Sequence, residues 1–202
     1  MKILTKPTRC EITVLKSIFI CDIIPINNEN EIKEHLRKIK KEFFDAKHHV
    51  YAYILGPKQN IFKCNDDGEP QKTAGYPILN ILLKKEITNT LVIVTRYFGG
   101  TLLGTGGLVR AYSNACLKAI ESSTFIDLIE KRKITVICSY KDYQEILRGS
   151  FQIVNSSFTT SVYLEIEIPT SQFEEEINRI KKITNENAII NTSDIWFLRI
   201  YA

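Results

Sequence analysis

The sequence predicts an α+β protein of two domains, and two observations support this. Charge is unevenly distributed, because residues 1–125 contain 18 Lys and Arg against 12 Asp and Glu, whereas residues 126–202 contain 9 against 11. Such an asymmetry between parts of a chain suggests separate units. In the second part, strand and helix patterns follow the order βαββαβ, which is that of a ferredoxin-like domain. We therefore predict domains at 1–125 and 126–202.

Hydrophobic periodicity indicates the elements of the first domain. Residues 10–24 are rich in β-branched and aromatic types, which predicts one or two strands. Apolar residues then recur at helical spacing from Ile32 to Phe43, and Asn28 with Glu31 three residues later predicts a capping box before this helix. The remaining elements are strands at 50–55, 61–64 and 91–94, the last being apolar throughout as in a strand covered on both faces, and helices at 74–83 and 107–121.

Shorter patterns indicate the elements of the second domain. Apolar and polar residues alternate over 162–168, which predicts a strand with one buried face. We interpret the polar stretch Asn155-Ser156-Ser157 as a turn. The other elements are strands at 134–138 and 151–154, helices at 140–147 and 173–183, and one or two closing strands at 188–200.

The composition argues against several classes of protein. The five cysteines include no Cys-x-x-Cys pair, so neither a zinc ribbon nor a thioredoxin-type motif is present. The first residues lack the apolar core of a signal peptide, and no apolar run approaches the roughly 18–20 residues that span a bilayer. We expect a cytoplasmic protein with reduced thiols, no bound metal, no cofactor and no membrane association.

Glycine is concentrated in one segment that has the order strand, turn, helix. Six of the nine glycines lie between residues 75 and 107: Gly75, Gly99, Gly100, Gly104, Gly106 and Gly107. Glycine lets a backbone approach a ligand closely, and the start of a helix offers unpaired N–H groups to an anion. Arg96 and Arg110 add positive charge on either side of this turn. The alternative is that the glycines only allow the helix to pack tightly on the sheet.

The nucleotide-binding motifs with a Gly-rich loop do not fit this segment. A Walker A loop requires Gly-Lys-Ser/Thr, but Gly104 is followed by Thr105 and Gly106. The Gly-x-Gly-x-x-Gly pattern that begins at Gly104 ends on Val109 instead of glycine. Neither a P-loop nor a Rossmann site is therefore indicated.

Three blocks of sequence resemble the YigZ/IMPACT family. They are Arg96-Tyr97-Phe98-Gly99-Gly100 with Leu103-Gly104, the run from Gly106 to Tyr112, and Asp67-Gly68-Glu69-Pro70 followed by Thr73-Ala74-Gly75. Two positions depart from the family pattern, which usually has Gly where Lys72 stands and Arg where Ile18 stands. The resemblance implies an N-terminal ribosomal-protein-like βαβ domain and a C-terminal domain similar to the last domains of elongation factor G.

The resemblance also implies a role in translation. Eukaryotic members of the family inhibit activation of the general-control kinase, which phosphorylates a translation initiation factor, by competing for its co-activator. We expect a regulatory protein that binds RNA or a ribosome-associated protein through its basic, Gly-rich site, and we assign no catalytic residue. The candidate contacts are Lys16, His48, Asp67, Glu69, Arg96, Tyr97, Phe98, Gly99, Gly100, Gly104, Gly106, Gly107 and Arg110, with Lys72 nearby.

Two alternatives remain open at this point. A hydrolase or another enzyme with a phosphate ligand would bring His48, Asp67 and Glu69 together in a cleft beside the Gly-rich turn. In a purely structural role, Glu69 would pair with Arg96 and both motifs would serve folding. An RNA-binding protein predicts an exposed basic face, and a protein-binding regulator predicts an exposed apolar patch.

Overall fold

The computed structural model describes the backbone of residues 1–200 and the side chains of residues 1–192. The chain forms two compact units, which divide between Leu128 and Ile129. The predicted α+β fold class is confirmed, and the strands form two sheets, one of six strands and one of five. Unit 1 contains strands β1 (Lys2–Leu4), β2 (Thr8–Val14), β3 (Ser17–Pro25), β4 (His48–Leu55), β5 (Ile61–Asn65), β6 (Ile87–Thr88) and β7 (Thr90–Tyr97), and helices α1 (Glu29–Glu42), α2 (Gly75–Lys84) and α3 (Gly104–Glu121).

A five-stranded antiparallel sheet organises unit 1, with the strand order β2-β3-β7-β4-β5. Because β3 and β4 both pair antiparallel with β7, they run parallel to each other with β7 between them. Helix α1 makes the connection from β3 to β4, so the three elements form a split βαβ unit. The short strand β1 pairs with β6 and with residues 125–127.

Both faces of this sheet are covered, which explains the apolar run in β7. Val92 and Val94 belong to the core beneath α2 and α3, whereas Leu91 and Ile93 belong to the core beneath α1. Side chains alternate between the faces of a strand, so a strand buried on both sides has no polar period. The prediction from residues 91–94 is confirmed.

Helix α1 begins at the predicted cap. The Asn28 Oδ1 accepts hydrogen bonds from the backbone N–H of Asn30 at 3.0 Å and of Glu31 at 3.2 Å. The Glu31 carboxylate in turn accepts the backbone N–H of Asn27 at 2.9 Å, one residue earlier than in the usual capping box. Ile32 and Ile39 are buried, as their spacing predicts.

Unit 2 has the predicted ferredoxin-like order of elements. It contains the larger part of β8 (Phe125–Cys138), then α4 (Tyr140–Arg148), β9 (Gln152–Phe158), β10 (Val162–Pro169), α5 (Phe173–Ile183) and β11 (Ile189–Ile200). β10 pairs with β8 and with β9, and β11 also pairs with β8, so the order β9-β10-β8-β11 follows. Ile146 of α4 and Ile177 and Ile180 of α5 pack on the sheet residues of this core.

Three local predictions were wrong. Asn155, Ser156 and Ser157 lie inside β9, paired with Glu165, Leu164 and Tyr163, and the chain turns at 159–161 instead. Pairing with β10 satisfies the backbone of these polar residues, and they tolerate solvent at the edge of the sheet. Strand β8 begins at Phe125 rather than at 134, and α3 begins at Gly104 rather than at 107.

Candidate functional site

The pairing register of the sheet places Arg96 at the centre of the site. Arg96 lies on β7, and its cross-strand partners are Phe19 on β3 and His48 on β4. Cross-strand partners share one face of a sheet, as do residues two positions apart. The guanidinium carbon of Arg96 accordingly lies 5.4 Å from the Phe19 ring centroid and 5.8 Å from that of Phe98. Cationic and aromatic groups therefore meet where β7 ends.

A buried ion pair fixes Arg96. Its Nη1 donates to Oε1 of Glu69 at 2.7 Å, and the hydroxyl of Tyr112 donates to the same oxygen at 2.7 Å. Arg96 is only 6% exposed and Glu69 9%. Burial, followed by the bond to Glu69, raises the pKa of Tyr112, so this hydroxyl remains a donor at neutral pH. The contact that the purely structural alternative requires is present, and Oε1 already accepts two hydrogen bonds.

The two aspartates before Gly68 hold the loop in place. Oδ1 of Asp66 accepts the backbone N–H of Ala74 at 3.1 Å and of Gly75 at 2.8 Å, at the start of α2. Oδ2 of Asp67 accepts the backbone N–H of His49 at 2.7 Å, and its Oδ1 accepts from Lys40 at 3.3 Å. Both carboxylates therefore bind groups of the protein itself.

His48 is the acid–base group that remains from the predicted cluster. Its Nδ1 lies 2.9 Å from the backbone oxygen of Asp67. A carbonyl oxygen only accepts, so Nδ1 carries the hydrogen and the neutral ring has its lone pair on Nε2. The adjacent His49 is buried. Burial, followed by the charge of Lys40, lowers the pKa of His49, which favours a neutral ring.

A cavity of about 460 Å³ opens beside these groups. Its polar lining consists of Lys47, His48, Glu69 and Arg96. Its apolar lining includes Pro70, Phe98, Leu102, Leu103 and Leu108. The first residues of α3, Gly104 and Thr105, complete the wall, and at the mouth Phe98 is 55% exposed and Leu102 86%. The arrangement suits a ligand with an anionic part and an apolar part.

The glycines of the turn serve different purposes. A Cβ on Gly99 would collide with the backbone of Lys16, and the Gly99 N–H donates to the Ser17 hydroxyl at 3.1 Å. Gly99 therefore lets the β2–β3 hairpin pack against the turn. Gly100 and Gly104 have φ values of +84° and +68°, which favour glycine. A Cβ on Gly106 would meet no described atom within 4 Å.

Only some of the predicted site residues meet at the cavity. His48, Glu69, Arg96, Phe98 and Gly104 line it. The predicted residues outside the lining are Lys16, Asp67, Tyr97, Gly99, Gly100, Gly106, Gly107 and Arg110. Asp67 still contacts His48 through its carbonyl oxygen, and Lys16 and Arg110 are exposed. Sequence reasoning missed Lys47 and Leu102, although one precedes His48 and the other lies within the Gly-rich turn.

Tyr97 belongs to the opposite face of the sheet from Phe98. Its hydroxyl donates to Oδ1 of Asp45 at 2.7 Å, and its ring meets that of Phe43 edge to face, with centroids 6.5 Å apart. The bond to Asp45 raises the pKa of Tyr97. Tyr97 therefore contacts the segment after α1 and takes no part in the cavity.

Metal-binding clusters and membrane-spanning helices are both absent from the described residues. Within residues 1–192, no group of three or more His, Cys, Asp or Glu side chains is arranged to hold a metal ion. In the same part of the chain, no helix has both the length and the apolar character needed to cross a bilayer.

A family model, two curated proteins and a solved structure are similar to this chain. The family model of the Impact N-terminal domain matches residues 15–120. IMPACT family member YvyE of Bacillus subtilis (strain 168) is 32% identical over 195 residues, which cover 93% of this chain and 88% of that protein. IMPACT family member YigZ of Escherichia coli (strain K12) is 32% identical over 168 residues, covering 80% and 82%. A crystal structure described as that of a hypothetical protein matches with a TM-score of 0.60 and 28% identity, covering 96% of this chain and 97% of the other.

Proposed function

This chain belongs to the IMPACT family, and on that premise we propose that it is a translation-associated protein which binds single-stranded RNA at the cavity beside the Gly-rich turn. The observation that carries the proposal is the exposed ring of Phe98 beside Lys47 and the start of α3. Proteins that bind single strands combine aromatic platforms for the bases with a cationic track for the phosphates. The role in translation rests on the family alone.

The charge of unit 1 supports an anionic polymer as the ligand. Three exposed cations, Arg37, Lys38 and Lys41, surround a further depression on α1. The same helix contacts the cavity loop, because Lys40 binds Asp67, whose carbonyl oxygen binds His48. We place the rest of the strand along these cations of α1, which covers the other face of the sheet and meets the cavity loop at Lys40.

The proposal is tested with a fluorescent single-stranded RNA whose anisotropy is measured against the full chain over a series of salt concentrations. Loss of one stacked base in Phe98→Ala should weaken binding by about 1–3 kcal/mol. Lys47→Ala should reduce the slope of log K against log salt by about 0.7, the value for one phosphate of a single strand. Arg96→Ala is unsuitable, because it leaves the buried carboxylate of Glu69 without its cation.

Two matched controls are available on the same sheet. Phe62 on β5 is 54% exposed, close to the exposure of Phe98, and Lys58 is an exposed lysine in the β4–β5 hairpin. Strand β4 separates that hairpin from His48 by its whole length, so Phe62→Ala and Lys58→Ala should leave the affinity unchanged. Absence of binding by the wild type at low salt, or equal losses in the control variants, would contradict the proposal.

A second candidate is hydrolysis of a phosphate ester at the same cavity, and the orientation of His48 favours it. The bond from Nδ1 to Asp67 presents Nε2 as a base beside the start of α3. The predicted partners Asp67 and Glu69 already bind other groups of the protein. Cleavage of RNA by the wild type and its loss in His48→Gln would support this function, whereas intact RNA after prolonged incubation would exclude RNA as its substrate.

A further inference from the structure

The backbone N–H groups in the first turn of α3 have no capping side chain among the described residues. The helix has 18 residues, and its first turn holds no acidic residue. Its N–H groups and the positive end of its dipole are therefore not neutralised locally. Gly104 and Thr105 line the cavity, so this positive end lies at its wall.

Gly106 adds a reason to regard this turn as a contact surface. Glycine weakens a helix relative to alanine, so its presence normally has a conformational or packing cause. Neither cause applies here, because Gly106 does not have a positive φ and an added Cβ would meet open space among the described residues. Gly106 lies outside the lining of the cavity but directly follows Thr105, which belongs to it, so the absent side chain leaves the approach to the first turn unobstructed.

Arg96 supplies an observation that is independent of α3. Its side chain is only 7% exposed, yet Nε has no hydrogen-bond partner within the described part of the chain. Buried guanidinium nitrogens are normally paired, and each unmet one is costly. Arg96 lines the same cavity as the start of α3, with its single carboxylate contact to Glu69. Lys47 adds a second cation to the lining, where Glu69 is the one anion among these described residues.

The size of the cavity limits how much of a ligand enters. Its volume of about 460 Å³ falls within the roughly 300–1,000 Å³ of small-molecule sites. A strand that follows several phosphates requires an extended cationic groove instead. Such cations lie outside the cavity, on α1. The apolar wall from Phe98 to Leu108 suits a base and its sugar.

We propose that the cavity binds one nucleotide through a terminal phosphate monoester. The phosphate lies on the first turn of α3 near Arg96 and Lys47, and the base lies against Phe98. This inference rests on the proposed RNA function and names the part of the RNA that enters the cavity. A free nucleoside monophosphate carries the same chemistry, so the experiment compares both sources.

The affinity of the full chain is measured by calorimetry for adenosine 5′-monophosphate, adenosine and inorganic phosphate. It is also measured for one RNA sequence that carries a phosphate or a hydroxyl at its 5′ end or its 3′ end. We expect the monophosphate to bind at least about tenfold more tightly than adenosine, since one well-placed anion contact is worth about that factor. RNA with a phosphorylated end should bind more tightly than the same RNA with a hydroxyl end, by a similar factor.

Gly106→Ala separates binding from stability, because the two should change in opposite directions. Alanine favours the helix, so the melting temperature should rise by about 2 °C. Its methyl group covers the N–H groups, so affinity for the monophosphate should fall at least about tenfold. Asn114→Ala, at an exposed position farther along α3, should raise stability without changing affinity. Lys41→Ala should weaken binding of RNA and leave the monophosphate unaffected.

The outcomes distinguish this inference from the proposed function. RNA that binds equally with either end, and is not displaced by the monophosphate, would overturn the inference and leave RNA binding intact. A monophosphate that binds while RNA does not would support the inference with a free nucleotide as ligand and refute RNA binding. Unchanged affinity in Gly106→Ala would refute the placement of the phosphate on α3.

Discussion

The ion pair between Arg96 and Glu69 leads to a prediction about folding. Each side chain is almost completely buried, at 7% and 4% exposure, so removal of one partner leaves the other charge in the interior. Breaking a buried pair in this way costs about 3–5 kcal/mol. We therefore expect Arg96→Met and Glu69→Gln each to lower the free energy of unfolding by about that amount.

The double variant Arg96→Met/Glu69→Gln carries the sharper test. With both charges removed, the Tyr112 hydroxyl can still donate to the amide oxygen at position 69, as it donates to the carboxylate in the wild type. The free energy of unfolding of the double variant should therefore be at least as high as that of the weaker single variant. The losses of the two single variants should not add. Tyr112→Phe removes one hydrogen bond to a charged group and should cost about 1.5–3 kcal/mol.

The assay is urea-induced unfolding followed by circular dichroism. The slope of the free energy of unfolding against urea concentration is compared between variants. The exposed pair of Arg148 and Glu145, at 74% and 49% exposure, provides a matched control. Arg148→Met and Glu145→Gln should each change stability by less than about 1 kcal/mol. Additive losses in the double variant at positions 96 and 69, or losses no larger than those of the control, would refute a stabilising role for the buried pair.

The remaining predictions concern backbone strain, packing and pH. Lys72 has a φ of +62°, so Lys72→Gly should raise stability by about 0.5–1 kcal/mol, whereas Lys58→Gly, where φ is not positive, should lower it; thermal unfolding checks both. Gly99→Ala should destabilise by about 1–3 kcal/mol because its Cβ would collide with Lys16, in contrast to Gly106→Ala; urea unfolding would show whether the two differ in sign. Burial and Lys40 lower the pKa of His49 below 6.5, so protons bind the unfolded chain first, and stability should fall as pH drops through about 6.5. Equal pH dependence of the urea midpoint in wild type and His49→Asn would contradict this last prediction.

The parts of the fold that could be predicted from the sequence are those with a local physical cause. The cap at Asn28 needs only the side chain and the next turn of the helix. The unbroken apolar run in β7 follows from burial on both faces. The βαββαβ order of unit 2 likewise follows from periods that each element carries by itself.

Several strands depend on pairing with distant parts of the chain, which the local pattern does not show. Asn155, Ser156 and Ser157 favour a turn locally, but pairing with β10 outweighs that preference. The short strands β1 and β6 are formed by contact with each other and were not predicted, because three and two residues carry too little pattern.

In the candidate site, too, contacts between motifs could be predicted from the sequence, whereas positions that depend on strand register could not. The pairing of Glu69 with Arg96 could be proposed from motifs, since opposite charges in one pattern indicate a contact. The placement of Tyr97 and Phe98 on opposite faces of the sheet could not be predicted from the sequence. The face that each side chain occupies depends on the register of β7 with β3 and β4. Lys47 lies in the lining because it precedes His48, which that same register places beside Arg96.

The cavity has a floor and a mouth that face different evolutionary constraints. Arg96 and Glu69 form the buried floor, where Glu69 accepts hydrogen bonds from Arg96 and from Tyr112 beneath it. A substitution there destabilises the fold, whatever the ligand. Lys47 and Leu102 at the mouth are exposed and replaceable without such a penalty. Relatives with the same interior can therefore diverge in the molecule they recognise by changing the mouth alone.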